Sequence, residues 1–322
     1  MGFLTKHGTQ WGAIPMTGGV VHWVAPADSY TVDGRSYAAS NDNDGLSPER
    51  AVRRISQAVS NATANAGDVI GLLPGTHTTT AALAASKAGL TFVGLPYIPT
   101  DDDDYAIPKA TITGTGAIGV AVTAADNAFH NIRFLPVTQF QAVTFTTAAD
   151  NLLFKNCYID LKTATAHANT KGIAATGATQ APRNLRFLNC FIEQANSGTS
   201  NGYAVDIGAA INCIMSKCLI FNHGSNASAT AWATAVKIND NAYALFRDNI
   251  VQSSAVGTGI TKVFEGVTHT AAGAVMFLRN VMTVQTGALL IDDFAAADCD
   301  LCLNYVSTVA GGTGGTLITA TT

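Results

Sequence analysis

The carboxylates Glu193, Asp206, Asp248, Glu265 and the adjacent Asp292-Asp293 have the type needed to cleave a glycosidic bond. That chemistry takes two carboxyl groups about 5 to 9.5 Å apart, which neighbouring structural repeats could supply. Arg133, Arg186, Arg247 and Arg279 could act with them, but no group of acids recurs opposite the arginines in the sequence. The seven histidines, at 7, 22, 77, 130, 167, 223 and 269, stand singly, without the i,i+2 or i,i+4 pairs that ligate metals. Cys213/Cys218 and Cys299-Asp300-Leu301-Cys302 fall on expected strands, where residues three apart face opposite sides, and read as packed free thiols. The loop Asn41-Asp42-Asn43-Asp44-Gly45 lacks the glutamate of a calcium loop, and Ala51 stands in its place. It and Asp101 to Asp104 read as solvated turns. No cofactor or metal is expected from these patterns.

The elements that must position such residues are set by a repeat. Asn151-Leu152-Leu153-Phe154-Lys155-Asn156-Cys157-Tyr158-Ile159 returns in variant form along the chain. One column runs through Ile132, Cys157, Cys190, Cys218, Asn249, Asn280 and Asn304 at intervals of 25, 33, 28, 31, 31 and 24 residues. Such irregular spacing with a regular pattern is the mark of a solenoid. The units are short alternating runs broken by Gly, Asn, Ser and Thr rather than 3.6-period helices. They predict an all-β fold, a single right-handed parallel β-helix of roughly nine or ten coils, about 45 Å long at about 4.8 Å per coil. Within it, Cys157, Cys190 and Cys218 followed by Asn249, Asn280 and Asn304 form one stacked structural ladder.

The remaining segments divide into a leader (1–46), a capping helix with the β-helix (47–306) and a Gly/Thr-rich tail (307–322). Ser47 at an N-cap, Pro48 at the first helical position, and Val52, Ile55 and Val59 on one face predict a single helix over 47–59 that covers the open end of the core. The leader's apolar side chains, Phe3, Leu4, Trp11, Ile14 and Trp23, and Trp232 in a small-residue loop, are expected at an interface.

Of 322 residues, 48% are hydrophobic and 12% charged, and the net charge is −4. With a pI near 5.9, this gives no basic face for nucleic acid. No run approaches the length of a membrane span, and Met1 to Gly8 lacks the features of a secretory signal.

Gly45-Leu46-Ser47-Pro48-Glu49-Arg50-Ala51, then Gly67-Asp68-Val69-Ile70 and Leu72-Leu73-Pro74-Gly75-Thr76-His77, resemble the cap and first coil of pectin-lyase-like right-handed β-helix proteins. The resemblance implies a fold whose enzymes are polysaccharide lyases, glycoside hydrolases and esterases. Asp292-Asp293 is similar to the acid pair of polygalacturonases and Asn222-His223-Gly224 to their Gly-His-Gly, but the order is reversed. Trp11-Gly12-Ala13-Ile14-Pro15 ahead of such a rod resembles virion proteins of tailed bacteriophages, made in the host cytoplasm and commonly trimeric. On that basis the expectation is a non-enzymatic capsid decoration (cement) or head-fibre protein, a homotrimer docked by its leader on the major capsid protein. The alternative is a tailspike-type polysaccharide-degrading or sugar-binding protein.

Overall fold

The computed structural model describes residues 18–96, 107–114, 118–136, 141–161, 171–177, 181–194, 202–222, 234–239, 243–253, 260, 262–269, 275–284, 289–294, 299–308 and 316–318. Each repeat gives one strand to each of three sheets, so the chain winds as a parallel β-helix. Sheet A has ten strands, from Val21–Val24 to Cys299–Cys302. Sheet B runs from Gly75–Thr79 to Asn304–Thr308, where Thr316–Ile318 adds an antiparallel edge strand. Sheet C runs from Leu83–Ala85 to Leu289–Phe294.

The corner between sheets A and B is a single residue in the left-handed region: Asn131, Asn156, Asn189, Lys217, Asp248, Arg279 or Leu303, all with φ between 53° and 56°. Asparagine and aspartate tolerate this conformation because a short polar side chain bonds locally. Each corner residue is followed by the buried ladder residue, so Asn156-Cys157 and Arg279-Asn280 are one structural device. Asn249 Nδ2 donates to Asn280 Oδ1, and Asn280 Nδ2 to Asn304 Oδ1, both at 2.9 Å. Their second amide hydrogens reach the carbonyls of Met215 and Phe246. Every amide is thus used inside an apolar interior, where an unmet one would cost about 1 to 3 kcal/mol. Cys157, Cys190 and Cys218 occupy the same slot as buried free thiols.

Register places like on like in the core as well. Phe92, Phe129, Phe154 and Phe187 stack with centroids 4.8, 5.2 and 5.5 Å apart, Met215 takes the next place, and Phe246 and Phe277 continue the column.

The N-terminal end differs from the sequence expectation. Pro48–Arg50 is one 3-10 turn, and the α-helix is Ile55–Asn61. Between them the chain is extended, because Ala51 N–H donates to the Tyr30 hydroxyl and Val52 bridges Val24 of sheet A. Ser47 makes no side-chain cap. Ile55, Ala58 and Val59 are buried against the core end. Residues 21–24 already form the first strand of sheet A, so the rod starts inside the segment read as leader. Trp23, expected at an interface, is buried within the chain among Val69, Val93 and Leu95. Phe3, Leu4, Trp11, Ile14 and Trp232 lie outside the described residues. Asp68 ties this end together, accepting N–H bonds from Val20 and Thr63 and facing His22 Nε2 at 3.2 Å.

Two substitutions test this architecture. Ile55→Asp buries an unpaired carboxylate at the cap and is expected to cost about 3 kcal/mol or more in chemical denaturation. Lys217 holds a left-handed conformation that favours asparagine, and the buried Oδ1 of the preceding corner residue, Asn189, has no partner among the described residues. Lys217→Asn removes the backbone cost and adds a donor at that position, so the midpoint should shift to greater stability by about 1 kcal/mol.

Candidate functional site

The outer face of sheet C carries the cluster that best fits a functional site. Strands Lys171–Ala175, Tyr203–Asp206, Thr234–Asn239 and Lys262–His269 lie side by side. One register row is Lys171, Tyr203, Thr234 and Lys262; a second is Ala174, Asp206, Lys237, Glu265 and Asp292. Both rows meet on the outer face, since Lys171 and Lys237 reach the Asp206 carboxylate as well as the Tyr203 ring, while Ala204, Val205, Val236 and Phe264 lie in the core.

Asp206 is the centre of the cluster and is 4% exposed. Its Oδ1 accepts the Gly208 N–H at 3.0 Å and the Asn239 Nδ2–H at 3.2 Å. Its Oδ2 faces the ammonium groups of Lys171 at 3.9 Å and Lys237 at 4.0 Å. Both lysines also sit over the Tyr203 ring, at 5.4 and 4.9 Å from its centroid. Burial pushes the Asp206 carboxyl above its ordinary value, and the opposing pull of the Gly208 N–H, Lys237, Lys171 and Asn239 does not cancel it. Asn239 Oδ1 is buried without a partner among the described residues.

Glu265 follows two strands along the row, about 9.6 Å by strand spacing. Thr234 Oγ1 donates to its Oε2 at 2.7 Å, and Lys262 Nζ to its Oε1 at 2.5 Å. Asp292 pairs with Glu265 in register; its side chain lies outside the described set. Asp206, raised by burial, and Glu265, bonded to Thr234 and Lys262, are two carboxyls in different surroundings on one row, the parts from which an acid and a base can be built. Among the described residues, no three His, Cys, Asp or Glu side chains converge to hold a metal ion.

The other candidate acids serve the scaffold. Asp248 takes a two-pronged bond from Arg279 at 2.7 and 3.0 Å, which holds its carboxyl below the ordinary value. Glu193 accepts the Tyr158 hydroxyl on sheet B, beside the pair Arg133–Asp160. Opposite partners for Arg133 and Arg279 therefore exist one coil away, where chain spacing hid them. Burial holds His77 and His130 neutral, with pKa lowered to about 4. Lys171, Tyr203, Lys237 and Asn239 were not singled out in the sequence, and strict alternation would have placed Tyr203 and Asp206 on opposite faces; Ala204 and Val205, both in the core, break it.

No known family's sequence profile matches this chain, and no curated protein matches it. Its fold does match solved structures. Pectin methylesterase from Aspergillus niger aligns at 16% identity over 97% of this chain and 94% of its own, with a TM-score of 0.53. Alginate lyase from Paenibacillus sp. aligns at 16% identity over 80% and 93%, with a TM-score of 0.50. These matches show a pectin-lyase-like parallel β-helix. They also correct the expectation of a non-enzymatic protein: solved structures that share the architecture include an esterase and a lyase.

Asp206 also makes a pH prediction. With a folded-state pKa above the ordinary 3.8, its favourable contribution is complete below the unfolded value and is lost as pH rises through the folded one. Asp206→Asn stays neutral, so it should melt above the native protein near pH 7 and lose that advantage as pH falls toward about 4, in thermal melts across pH.

Proposed function

We propose that this is a polysaccharide-degrading β-helix protein that holds its substrate across the outer face of sheet C and cleaves it between Asp206 and Glu265. The observation that carries the reading is Asp206 itself, a buried carboxyl raised above its ordinary pKa between two lysines that share one tyrosine ring. Asp206, protonated, donates to the leaving glycosidic oxygen. Glu265, oriented by Thr234 and Lys262, accepts a proton from the attacking water. Their strands are two spacings apart, about 9.6 Å along the backbone, so side chains that lean toward each other would bring the carboxyls within the separation used in hydrolysis with inversion. Lys171 and Lys237, seated over the Tyr203 ring, hold substrate oxygens.

The fold neighbours support the substrate class, since pectin methylesterase and alginate lyase are named for polysaccharides. The leader's Trp11-Gly12-Ala13-Ile14-Pro15 adds a setting to the proposal: a tailspike-type homotrimer on a phage particle, acting on a host polysaccharide.

The test is release of reducing ends from a panel of polysaccharides. Asp206→Asn and Glu265→Gln should each lower kcat by about 10²- to 10⁴-fold, and Lys237→Ala should raise KM. Activity should fall as pH rises past the Asp206 pKa, because the acid must be protonated. Cleavage undiminished in both carboxylate variants, or none on any substrate, would overturn the reading.

A further inference from the structure

A cavity of about 380 Å³ lies at the capped end of the rod, away from the sheet C cluster. Three pieces of chain that are distant in sequence form it: Asp28 from the N-terminal segment, residues 53–56 at the start of the helix, and residues 78–83 between sheets B and C. Its volume is in the range of small-molecule sites, about 300 to 1,000 Å³.

The lining has a definite chemistry. Arg53 Nε donates to Asp28 Oδ1 at 2.5 Å, leaving the Nη donors of Arg53 uncommitted. Arg54 is anchored through its backbone N–H to Asn41 Oδ1 at 3.1 Å, and its guanidinium has no partner among the described residues. Two guanidinium groups against one carboxylate leave one positive charge in excess. A planar guanidinium with free donors matches a carboxylate or phosphate with two parallel bonds. Around these cations stand the hydroxyls of Ser56, Thr78 and Thr80, which both donate and accept. Ile55 and Leu83, both buried, give an apolar floor. One cationic fork, several neutral hydroxyls and one apolar wall together select a small polyol with a single anionic group and a C–H face.

We propose that this cavity binds a monosaccharide-sized polyol carrying one anionic group, with Arg54 as its principal anchor. The proposal is independent of catalysis on sheet C. Leu83–Ala85 is the edge strand of that sheet, four strands from Tyr203–Asp206 and so about 19 Å away.

Isothermal titration of the full chain with galacturonate, glucose 6-phosphate and neutral galactose tests it. At least one anionic sugar should bind in the millimolar range or tighter, with galactose weaker by about tenfold or more. The preferred anion identifies whether a carboxylate or a phosphate is recognised. Arg54→Ala, at an exposed position, should weaken binding by about tenfold or more with unchanged circular dichroism, and Lys237→Ala should leave it intact. The proposal is overturned if neither anion binds up to about 10 mM, if galactose binds as well, if Arg54→Ala binds like the native chain, or if Lys237→Ala abolishes binding.

Discussion

The stacking of coils in parallel register, about 4.8 Å apart, is the constraint on which the structure depends. Whatever occupies a position meets its equivalent in the next coil, so a residue succeeds only if it packs well against itself or a close relative. Phenylalanine does so by offset stacking, cysteine by being small and apolar, and asparagine by carrying both a donor and an acceptor. The buried ladder changes from thiols to amides at Cys218, whose backbone N–H donates to Asn249 Oδ1 at 2.9 Å. The junction leaves no polar group of the amide series unmet at that point.

The same register turns the outer faces into arrays of fixed pitch. On sheet B the array is structural: Tyr158 stacks on Phe191 at 4.9 Å, while Arg133 and Asp160 form an ion pair. On sheet C the rows combine opposite charges with incomplete neutralisation. Lys171 and Lys237 approach Asp206 only to about ion-pair distance, and burial outweighs their attraction. A rigid strand, Tyr203–Asp206, holds the acid from below, and neighbouring strands hold its partners. Strand placement gives such a site a precision that loops seldom match.

At the N-terminal end the constraint fails, since among the described residues the first coil has no neighbouring coil on one side. The chain closes that edge with the short helix, the Val24–Val52 bridge and the bonds to Asp68. Packing these unlike pieces against a regular rod cannot be as close as coil on coil, and the arginine-lined cavity lies at their junction. Irregularity of this kind is where a solenoid has room for a small ligand.

The sequence by itself determined the solenoid, because register acts on one residue per coil and writes a column that can be read off the chain: Cys157, Cys190, Cys218, Asn249, Asn280 and Asn304. It also exposed the carboxylates, since Asp206 and Glu265 stand out by type. It did not reveal that they share a row, because insertions of varying length between sheets B and C scramble their separation along the chain. The Asn-Cys and Arg-Asn pairs hid the left-handed corner for another reason. Lys217, Arg279 and Leu303 take that conformation against their own preference, held by neighbouring coils. The helix is shorter than the signals at Ser47 and Pro48 predict because they are outweighed by the tertiary bond from Ala51 N–H to the Tyr30 hydroxyl, which draws the backbone into an extended form. Only the tertiary structure decided which acids are structural and which is poised, since the charge state of a carboxyl depends on burial and on partners a coil or more away.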